Sequence, residues 1–495
     1  MNVVPEARKG NTVPEARRGS VVPEARQVNT VPDPRQVNTV PEARQGRTAP
    51  RAPAGPRQPS AGRSRTPVSP RPASRTPAEE RTPRMFAWLS LLDRPLASYH
   101  LIIGSTGLLL AIGLVMVLST SSASQLAAGG SPYKVFAHQL IGALIGLPMV
   151  WVLSRTPPRV FRAFGRPLLW TAIAGLLVVL AIGSSVNGAD RWVQIGGIQL
   201  QPSELAKLAL LLWGADLLAR KEKLKQLNDT RTLLMPLLPG AAVLCTLVML
   251  GDDLGTTFLL LVILLTLLWV LGTPGRVFAC MLGLILFALL MLIVIQPYRA
   301  ERLTGFLSQT PNSTGSTWQA TQGKYAIGSG GLFGVGLGES KQKWGLVPNA
   351  STDFIFAILG EELGLIGTAC VVFLYGSFAY AGLRVARRMT EPFTRLAAAG
   401  ITVWIVIQAL VNICAVVGLL PITGVPLPLI SQGLSSLLVT MAAIGVLLSL
   451  ARREPGAVEA LASARSGRQR PPPGVRGPSQ GRQGARRDRP GRSEV

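Results

Sequence analysis

Ten predominantly apolar segments lie between Leu101 and Leu450. Each is close to the ~20 apolar residues that a helix needs to cross a bilayer. Backbone polar groups in lipid must be paired internally, so we interpret the segments as α-helices. The sequence therefore predicts an all-α polytopic membrane protein with ten transmembrane helices. The segments are 101–120, 136–154, 167–185, 203–219, 233–250, 256–272, 277–295, 355–383, 396–418 and 429–450.

Basic residues alternate between the loops that join these segments. The loops after the second, fourth, sixth and eighth segments carry Arg or Lys, whereas the short loops on the opposite side carry few. Short loops rich in Arg and Lys stay in the cytoplasm. The pattern predicts that both termini are cytoplasmic and that residues 296–354 form one large extracytoplasmic loop between helices 7 and 8.

Two basic tails flank the apolar segments. Residues 1–84 hold 16 basic and 7 acidic residues and contain nine-residue repeats of the VPEAR type, and residues 456–495 are rich in Pro, Gly and Arg. Neither tail has the large apolar residues needed for a core, so we predict that both are disordered. Their charge favours attraction to an anionic membrane over nucleic acid binding. Residues 85–455 are predicted to form a single ten-helix transmembrane domain.

The chain contains few residues suited to histidine or zinc chemistry. His100 and His138 are its only histidines, and its four cysteines lie singly within apolar segments. We therefore expect neither a histidine-based triad nor a zinc site. Ionisable residues inside membrane segments are the better candidates for function, because burying them in lipid is costly.

A polar stretch, GADRWVQIGGIQLQPSELAK, covers residues 188–207 and leads into the fourth segment. Glu204 and Lys207 are spaced three apart, which places them on one face of a helix. Two interpretations stay open: a self-satisfied ion pair between helices, or a pair that lines a substrate cavity. Arg191 and Trp192 suit an interfacial anchor as well as a sugar or phosphate ligand.

Several polar residues stand where helices are predicted to begin. Ser203 can cap the fourth helix, and Asp252 and Asp253 precede the sixth. Asp353 precedes the eighth helix, at the end of the long loop. Such side chains commonly accept hydrogen bonds from the first backbone N–H groups of a helix. From the residues alone, N-capping is the favoured role at both places, for the Asp252-Asp253 pair and for Asp353.

The long loop contains a glycine-rich run, residues 328–338. Glycine permits tight turns and close approach of backbone to a ligand. The run lacks the GxxxxGK[ST] pattern of a nucleotide-binding loop. Lys324, Lys341 and Lys343 add positive charge that suits a pyrophosphate and simple solvation equally well.

Prolines interrupt the chain just before the last predicted helix, in GLLPITGVPLPLISQGLSS, residues 418–436. Irregular backbone at membrane depth is tolerated only where it is buried in protein or lines a cavity. Gln408 and Asn412 in the ninth helix, and Glu361 and Glu362 in the eighth, indicate a polar interior that faces this segment. Hydrogen bonding between helices is an alternative role for all four.

Taken together, these segments resemble the SEDS family (shape, elongation, division and sporulation) of peptidoglycan glycosyltransferases, over residues 95–455. GEELG and ARREP are more similar to the cell-division members than to the elongation members, and the Arg-rich tails resemble actinobacterial members. One departure is Leu434, which replaces a glycine and adds bulk near the predicted cavity. The matching motifs are GADRW, QPSELAK, DLGTT, QPYR, GSGGLFGVGLG, TDFIFAILGEELG, QALVN and LLPITGVPLPLIS.

The resemblance implies polymerisation of lipid II into β-1,4 glycan strands with inversion, undecaprenyl pyrophosphate being the leaving group. It implies a septal enzyme of the bacterial cytoplasmic membrane, in division or sporulation, with a class B penicillin-binding protein (a transpeptidase) and other division proteins as partners. It also makes Asp353 the proposed catalytic base, which reverses the capping preference. The predicted substrate-binding residues are Arg191, Trp192, Glu204, Lys207, Lys324, Lys341 and Glu361.

The leaving pyrophosphate needs positive charge, which these Arg and Lys residues or a divalent cation (Mg²⁺ or Mn²⁺) can supply. Two rival functions stay open at this stage. One is a lipid II flippase or transporter that uses Glu204, Lys207 and Glu361 as a polar path. The other is a non-catalytic division scaffold that recruits a transpeptidase.

Overall fold

A computed structural model describes residues 96–127, 129–182, 184–186, 189–195, 198–224, 234–295 and 316–458. The predicted disordered tails, 1–84 and all but the first three residues of 456–495, lie outside the described residues. The QPYR motif and the first part of the long loop lie outside them as well.

Eleven α-helices occur within the described residues. The ten predicted membrane segments each correspond to one of them, and the additional helix, α8, belongs to the long loop. In chain order they are α1 Ala97–Ala127, α2 Lys134–Arg155, α3 Pro158–Ile182, α4 Pro202–Lys223, α5 Leu237–Leu250, α6 Leu254–Leu271, α7 Gly275–Ile295, α8 Ser316–Ser329, α9 Ile355–Arg388, α10 Pro392–Val417 and α11 Leu434–Ala451.

Seven helices of the described part are long and apolar enough to cross a membrane: α1, α2, α3, α6, α9, α10 and α11. Helix α5 and the first part of α7, Gly275–Phe287, are apolar but shorter than a typical span. Helix α4 has sufficient length but carries charged side chains near both ends. The helical membrane architecture is confirmed, whereas the count of ten spans stays a prediction.

A small antiparallel sheet connects α3 to α4, which departs from the all-α expectation. Its hydrogen-bonded order is β1-β2-β3, and Val193 pairs with Leu200 and Ile195 with Ile198. The signal was in the sequence, because apolar residues alternate on either side of Gly196-Gly197, a pair typical of tight hairpins. The strands are β1 Ser184–Val186, β2 Ala189–Ile195 and β3 Ile198–Leu200.

Helix α10 occupies the centre of the bundle. It packs against α4, α6, α8, α9 and α11, and Trp404, Gln408 and Asn412 are all buried within it. Polar side chains so deep in a membrane-type bundle must find partners on neighbouring elements, since no water is available to them. The polar contacts of α10 therefore determine where a site can form.

Leu434 stands where the SEDS family has a glycine. It packs at the interface between α11 and α2. It lies over Gly142, where an added Cβ would be 2.6 Å from Leu434 Cδ1. The extra bulk of Leu434 is therefore accommodated at a position of α2 that has no side chain. This contact explains how the departure is tolerated in the fold.

We expect Gly142→Ala to lower the free energy of unfolding by about 1–3 kcal/mol, because the added methyl overpacks the interface. Leu434→Ala in the same chain should restore most of the loss, so the two changes should be strongly non-additive. Thermal unfolding in detergent measures both. Gly107→Ala in α1 is the matched control, because no atom lies within 4 Å of its added Cβ. An equal loss for both glycines would contradict the packing account.

Candidate functional site

The loop that carries Asp353 is fixed by its backbone. Residues 351–353 form turns directly before α9, and the Asp353 side chain is half-buried. Their three carbonyl groups each accept one hydrogen bond: Ser351 from Gln432 N at 2.9 Å, Thr352 from Ser431 Oγ at 2.6 Å, and Asp353 from Asn412 Nδ2 at 2.8 Å. The loop is thereby attached to α10 and to the segment between α10 and α11.

That segment, residues 418–433, has irregular backbone and is called the proline segment here. Its residues from Leu427 to Ser431 are buried, and side chains from three helices satisfy its carbonyl groups. The bonds are Asn412 Nδ2 to Val425 O (2.8 Å), Gln408 Nε2 to Pro426 O (2.9 Å), Tyr375 OH to Pro428 O (2.5 Å) and Gln139 Nε2 to Ser431 O (3.2 Å). The part from Leu427 to Ser431 is therefore buried in protein, one of the two situations that the sequence predicted for this irregular backbone.

Glu204 and Lys207 form a buried ion pair. Lys207 Nζ lies 2.8 Å from Glu204 Oε1, and the two side chains are 1% and 2% exposed. Lys207 Nζ also donates to Gln408 Oε1 at 3.2 Å. Gln408 in turn holds Pro426, and Asn412 lies one helical turn further along α10. Through the adjacent residues Val425 and Pro426, these contacts connect the charged pair of α4 to the backbone of Asp353.

Asp253 is a second point where elements meet. Its Oδ1 accepts from Thr256 N at 3.0 Å, which confirms the predicted capping of α6. Its Oδ2 accepts from Ser203 Oγ at 3.1 Å and from Gln201 Nε2 at 3.0 Å. The capping role predicted for Ser203 is wrong: Gln201 is the N-cap of α4 and Pro202 occupies the first turn. The Ser203 hydroxyl is used to hold Asp253 instead.

Arg191 and Trp192 lie on β2, where Trp192 pairs with Ser184. The side chain of Arg191 is outside the described part of the chain. The sheet is attached to the start of α11, because Ser435 Oγ donates to Gln199 O at 2.9 Å. The strand that adjoins α11 is therefore β3, which pairs with the strand that carries the Arg-Trp pair. The roles of both residues in substrate binding stay predictions.

Glu361 and Lys341 meet at a different place, two helical turns along α9 from Asp353. Glu361 is buried, and its Oε1 and Oε2 accept from Lys341 N (3.0 Å) and Ser340 Oγ (2.5 Å). The Lys341 side chain is exposed. Glu361 thus contacts the long loop through both carboxylate oxygens.

Beside this contact lies a buried ion pair whose lysine was not singled out as a site residue. Lys343 Nζ lies 3.1 Å from Glu362 Oε1, and the two side chains are 3% and 0% exposed. Ser119 of α1 donates to the same Glu362 oxygen at 2.6 Å. These contacts tie the long loop to α1 and α9. A lysine in a polar loop carries no pattern that distinguishes it from a solvated one.

Lys324 of α8 is exposed and lies against the carboxyl end of α10. Gly418 is the left-handed C-cap of that helix, and a Cβ there would collide with the Lys324 side chain. A cation at this position interacts favourably with the partial negative charge of the helix end. Lys324 and Asp353 are therefore both placed near the last turns of α10.

Within the described part of the chain, no three His, Cys, Asp or Glu side chains converge as ligands for a metal ion.

We expect Asn412→Leu to lower the free energy of unfolding by about 2–5 kcal/mol. The change removes the donor of a buried carbonyl group, Val425 O, and of a partly buried one, Asp353 O. Each unsatisfied buried group costs about 1–3 kcal/mol. The thermal midpoint in detergent measures this. Val417→Leu, on an exposed position of the same helix, should leave the midpoint nearly unchanged. Equal midpoints for the two variants would show that the amide does not support the loop.

The chain matches the model of the FtsW/RodA/SpoVE family, described as cell cycle proteins, over residues 99–455. Among curated relatives, it is 41% identical over 400 residues to the probable peptidoglycan glycosyltransferase FtsW of Mycobacterium tuberculosis, covering 80% of this chain and 75% of the relative. It is 40% identical over 349 residues to the protein of the same name from Coxiella burnetii, covering 69% and 93%.

Solved structures show the same relationship. A chain of a peptidoglycan synthase complex that coordinates polymerization and crosslinking aligns with a TM-score of 0.58 and 26% identity, over 71% of this chain and 97% of the other. The rod shape determining protein RodA of Thermus thermophilus aligns with a TM-score of 0.53 and 26% identity, over 71% and 96%. With its fold, its motifs and these relatives in agreement, the chain belongs to the FtsW/RodA/SpoVE family.

Proposed function

We propose that this protein is a peptidoglycan glycosyltransferase that polymerises lipid II, with Asp353 as its general base. Its curated relatives carry the name of that activity, and a structural neighbour belongs to a peptidoglycan synthase complex. The single observation that carries the residue assignment is the attachment of Asp353 to the proline segment and α10. A half-buried carboxylate on a fixed loop can be held in one position relative to a bound substrate.

The reaction joins the 4-hydroxyl of an acceptor sugar to C1 of the sugar of lipid II. The C1–O bond to the pyrophosphate breaks, and the hydroxyl proton passes to the Asp353 carboxylate. A sugar hydroxyl is a weak nucleophile at neutral pH, and a positioned base contributes ~10²–10⁴-fold.

The leaving pyrophosphate requires positive charge at the point where negative charge develops. Lys324 lies near the same end of α10 as Asp353 and is exposed, which favours it for this role. Lys341 and Arg191 are further candidates on the same proposed side of the membrane. Lys207 is paired with Glu204 and Gln408. We therefore propose that it stabilises the packing of α4 against α10 beneath Asp353 and does not bind the pyrophosphate.

We further propose the arrangement of ten spans with both termini in the cytoplasm and residues 296–354 outside. Ion pairs between different helices support it, because they bring together helix ends that are predicted to be cytoplasmic. The pairs are Arg162 with Asp216 and with Glu391, Arg395 with Glu222, and Arg388 with Glu454. The Asp253 and Ser435 contacts join elements on the opposite, proposed outer side.

The domain division at residues 84 and 456, the septal location and the partners are proposals as well. A class B penicillin-binding protein is the proposed partner, because a structural neighbour comes from a complex that couples polymerization to crosslinking. The two basic tails are proposed to lie along the anionic inner leaflet.

Polymerisation of purified lipid II by the full-length chain, alone and with its class B penicillin-binding protein, tests the proposed function. We expect glycan strands in the presence of the partner at least. Movement of labelled lipid II across liposomes without polymer formation would support a transporter, and neither activity would support a scaffold.

A further inference from the structure

Helix α9 is interrupted by a neighbouring segment of chain. At Gly364 its backbone has φ 65° and ψ −163°, a conformation that glycine adopts far more readily than other residues. In a continuous helix, Leu365 N and Ile366 N would bond to Glu361 O and Glu362 O. Residues 331–336 take up all four groups instead. The bonds are Val335 N to Glu361 O (2.9 Å), Gly336 N to Glu362 O (3.2 Å), Leu365 N to Gly331 O (3.0 Å) and Ile366 N to Leu332 O (3.2 Å).

This insertion fixes the side chains of the glycine-rich run against α9. A Cβ at Gly334, whose φ is 83°, would collide with Glu362 O, so the close approach depends on glycine. The apolar side chains beside it are not buried by the insertion. Leu332 and Phe333 are 61% and 80% exposed, which is unusual for large apolar residues on such a rigidly held segment.

The exposed side chains continue a stripe along α9. Leu365, Val372, Phe373 and Tyr380 are exposed, and their spacing of seven or eight residues places them on one face of the helix. Helix α9 is among those long and apolar enough to cross a membrane, which suits this face to contact with lipid acyl chains. The backbone N–H of Ile366, itself an exposed apolar residue, donates to Leu332 O at 3.2 Å, which places the glycine-rich run beside the start of the stripe.

The long loop also carries exposed residues of the kinds typical of a membrane interface. Tyr325 of α8 and Trp344 are both exposed, and Lys341, three residues before Trp344, is exposed as well. Tyr and Trp are enriched where headgroups meet acyl chains, and lysine side chains reach from that depth to the phosphates. This combination favours lipid over a water-filled space as the medium that covers the patch.

We propose that residues 331–335 form a membrane-inserted wedge, with Leu332 and Phe333 among the acyl chains of the leaflet that α9 enters at its N-terminal end. Under the proposed topology this is the outer leaflet. The wedge is hydrogen-bonded to the backbone of Glu361, Leu365 and Ile366 in α9. That helix begins two residues after Asp353. Membrane insertion of the run therefore sets the depth of the catalytic loop relative to the lipid-linked substrate, whereas the insertion itself does not depend on the proposed activity.

Site-directed fluorescence tests the wedge. The full-length chain, with its four native cysteines replaced, carries Phe333→Cys or, as a second probe, Leu332→Cys, labelled with an environment-sensitive dye. It is reconstituted into phosphatidylglycerol and phosphatidylethanolamine vesicles. Glu339→Cys, at an exposed polar position of the same loop, is the matched control. We expect blue-shifted emission for both probes, quenching by lipids with a nitroxide near the top of the acyl chain, and little quenching by iodide.

The Glu339→Cys control should show the reverse: no blue shift, little quenching by the nitroxide lipids and strong quenching by iodide. Quenching of both probes by iodide as strongly as the control would place the run in water and overturn the proposal. Quenching by neither reagent would show that protein covers the patch, either a second copy or a partner, and would overturn it as well. Because no step measures polymerisation, a failure of the proposed enzymatic function leaves this result unchanged.

Discussion

Asp353→Asn should reduce lipid II polymerisation by about 10²–10⁴-fold, the contribution expected of a positioned general base. The substitution hardly changes size but removes the group that accepts the hydroxyl proton. The contact that attaches Asp353 to Asn412 uses the Asp353 backbone carbonyl, which the variant retains. We therefore expect the thermal midpoint to change little while activity is lost. Initial rates with purified lipid II and the cognate transpeptidase measure the effect.

Glu339→Gln is the matched control for this variant. Glu339 is an exposed carboxylate of the same long loop, so its neutralisation should leave the rate close to that of the parent protein. If Asp353→Asn, normally folded and bound to its partner, polymerised as fast as Glu339→Gln, Asp353 would not be the base.

Lys343→Met should lower the free energy of unfolding by about 3–5 kcal/mol, the usual result of removing one partner of a buried ion pair. Glu362 would then be a carboxylate with no exposed side-chain surface and no cation beside it. Adding Glu362→Gln should restore much of the loss. The neutral amide oxygen that Glu362→Gln introduces still accepts a hydrogen bond from Ser119, and neither member of the former ion pair is then charged. Thermal unfolding in detergent, read for the parent, the single and the double variant, measures the coupling.

Lys341→Met serves as the comparison, because its side chain is exposed and exposed charges contribute only about 0–1 kcal/mol. The account would be contradicted if Lys343→Met were no less stable than Lys341→Met. It would also be contradicted if the double variant were no more stable than the single one.

Much of the architecture could be predicted from hydrophobic pattern alone. Apolar length identifies a membrane helix because lipid forces backbone pairing within the segment, and every predicted segment contains a helix. The prolines of residues 418–433 predicted irregular buried backbone for the same reason. The hairpin of β2 and β3 was not predicted, although the alternation of apolar residues on either side of Gly196-Gly197 indicates strands.

The site was predictable only in part. Spacing placed Glu204 and Lys207 together, because a three-residue interval fixes neighbours on one helix. No local pattern indicated that Asn412 holds Asp353, or that Lys343 pairs with Glu362, since these partners are distant in sequence. The insertion of residues 331–336 into α9 could not be predicted either. The glycines indicated that this backbone lies close to another group, but only tertiary packing determines that the group is the backbone of α9.

The central claim is that a carboxylate attached to α10 and the proline segment acts on the outer side of the membrane. It is tested most directly by labelling Pro348→Cys, an exposed position five residues before Asp353, in intact cells with a membrane-impermeant thiol reagent. The four native cysteines are replaced beforehand, and Lys223→Cys reports the proposed cytoplasmic side. We expect the reagent to label residue 348 in intact cells. It should label residue 223 only after the membrane is permeabilised. Labelling of residue 223 alone would place Asp353 in the cytoplasm and contradict it.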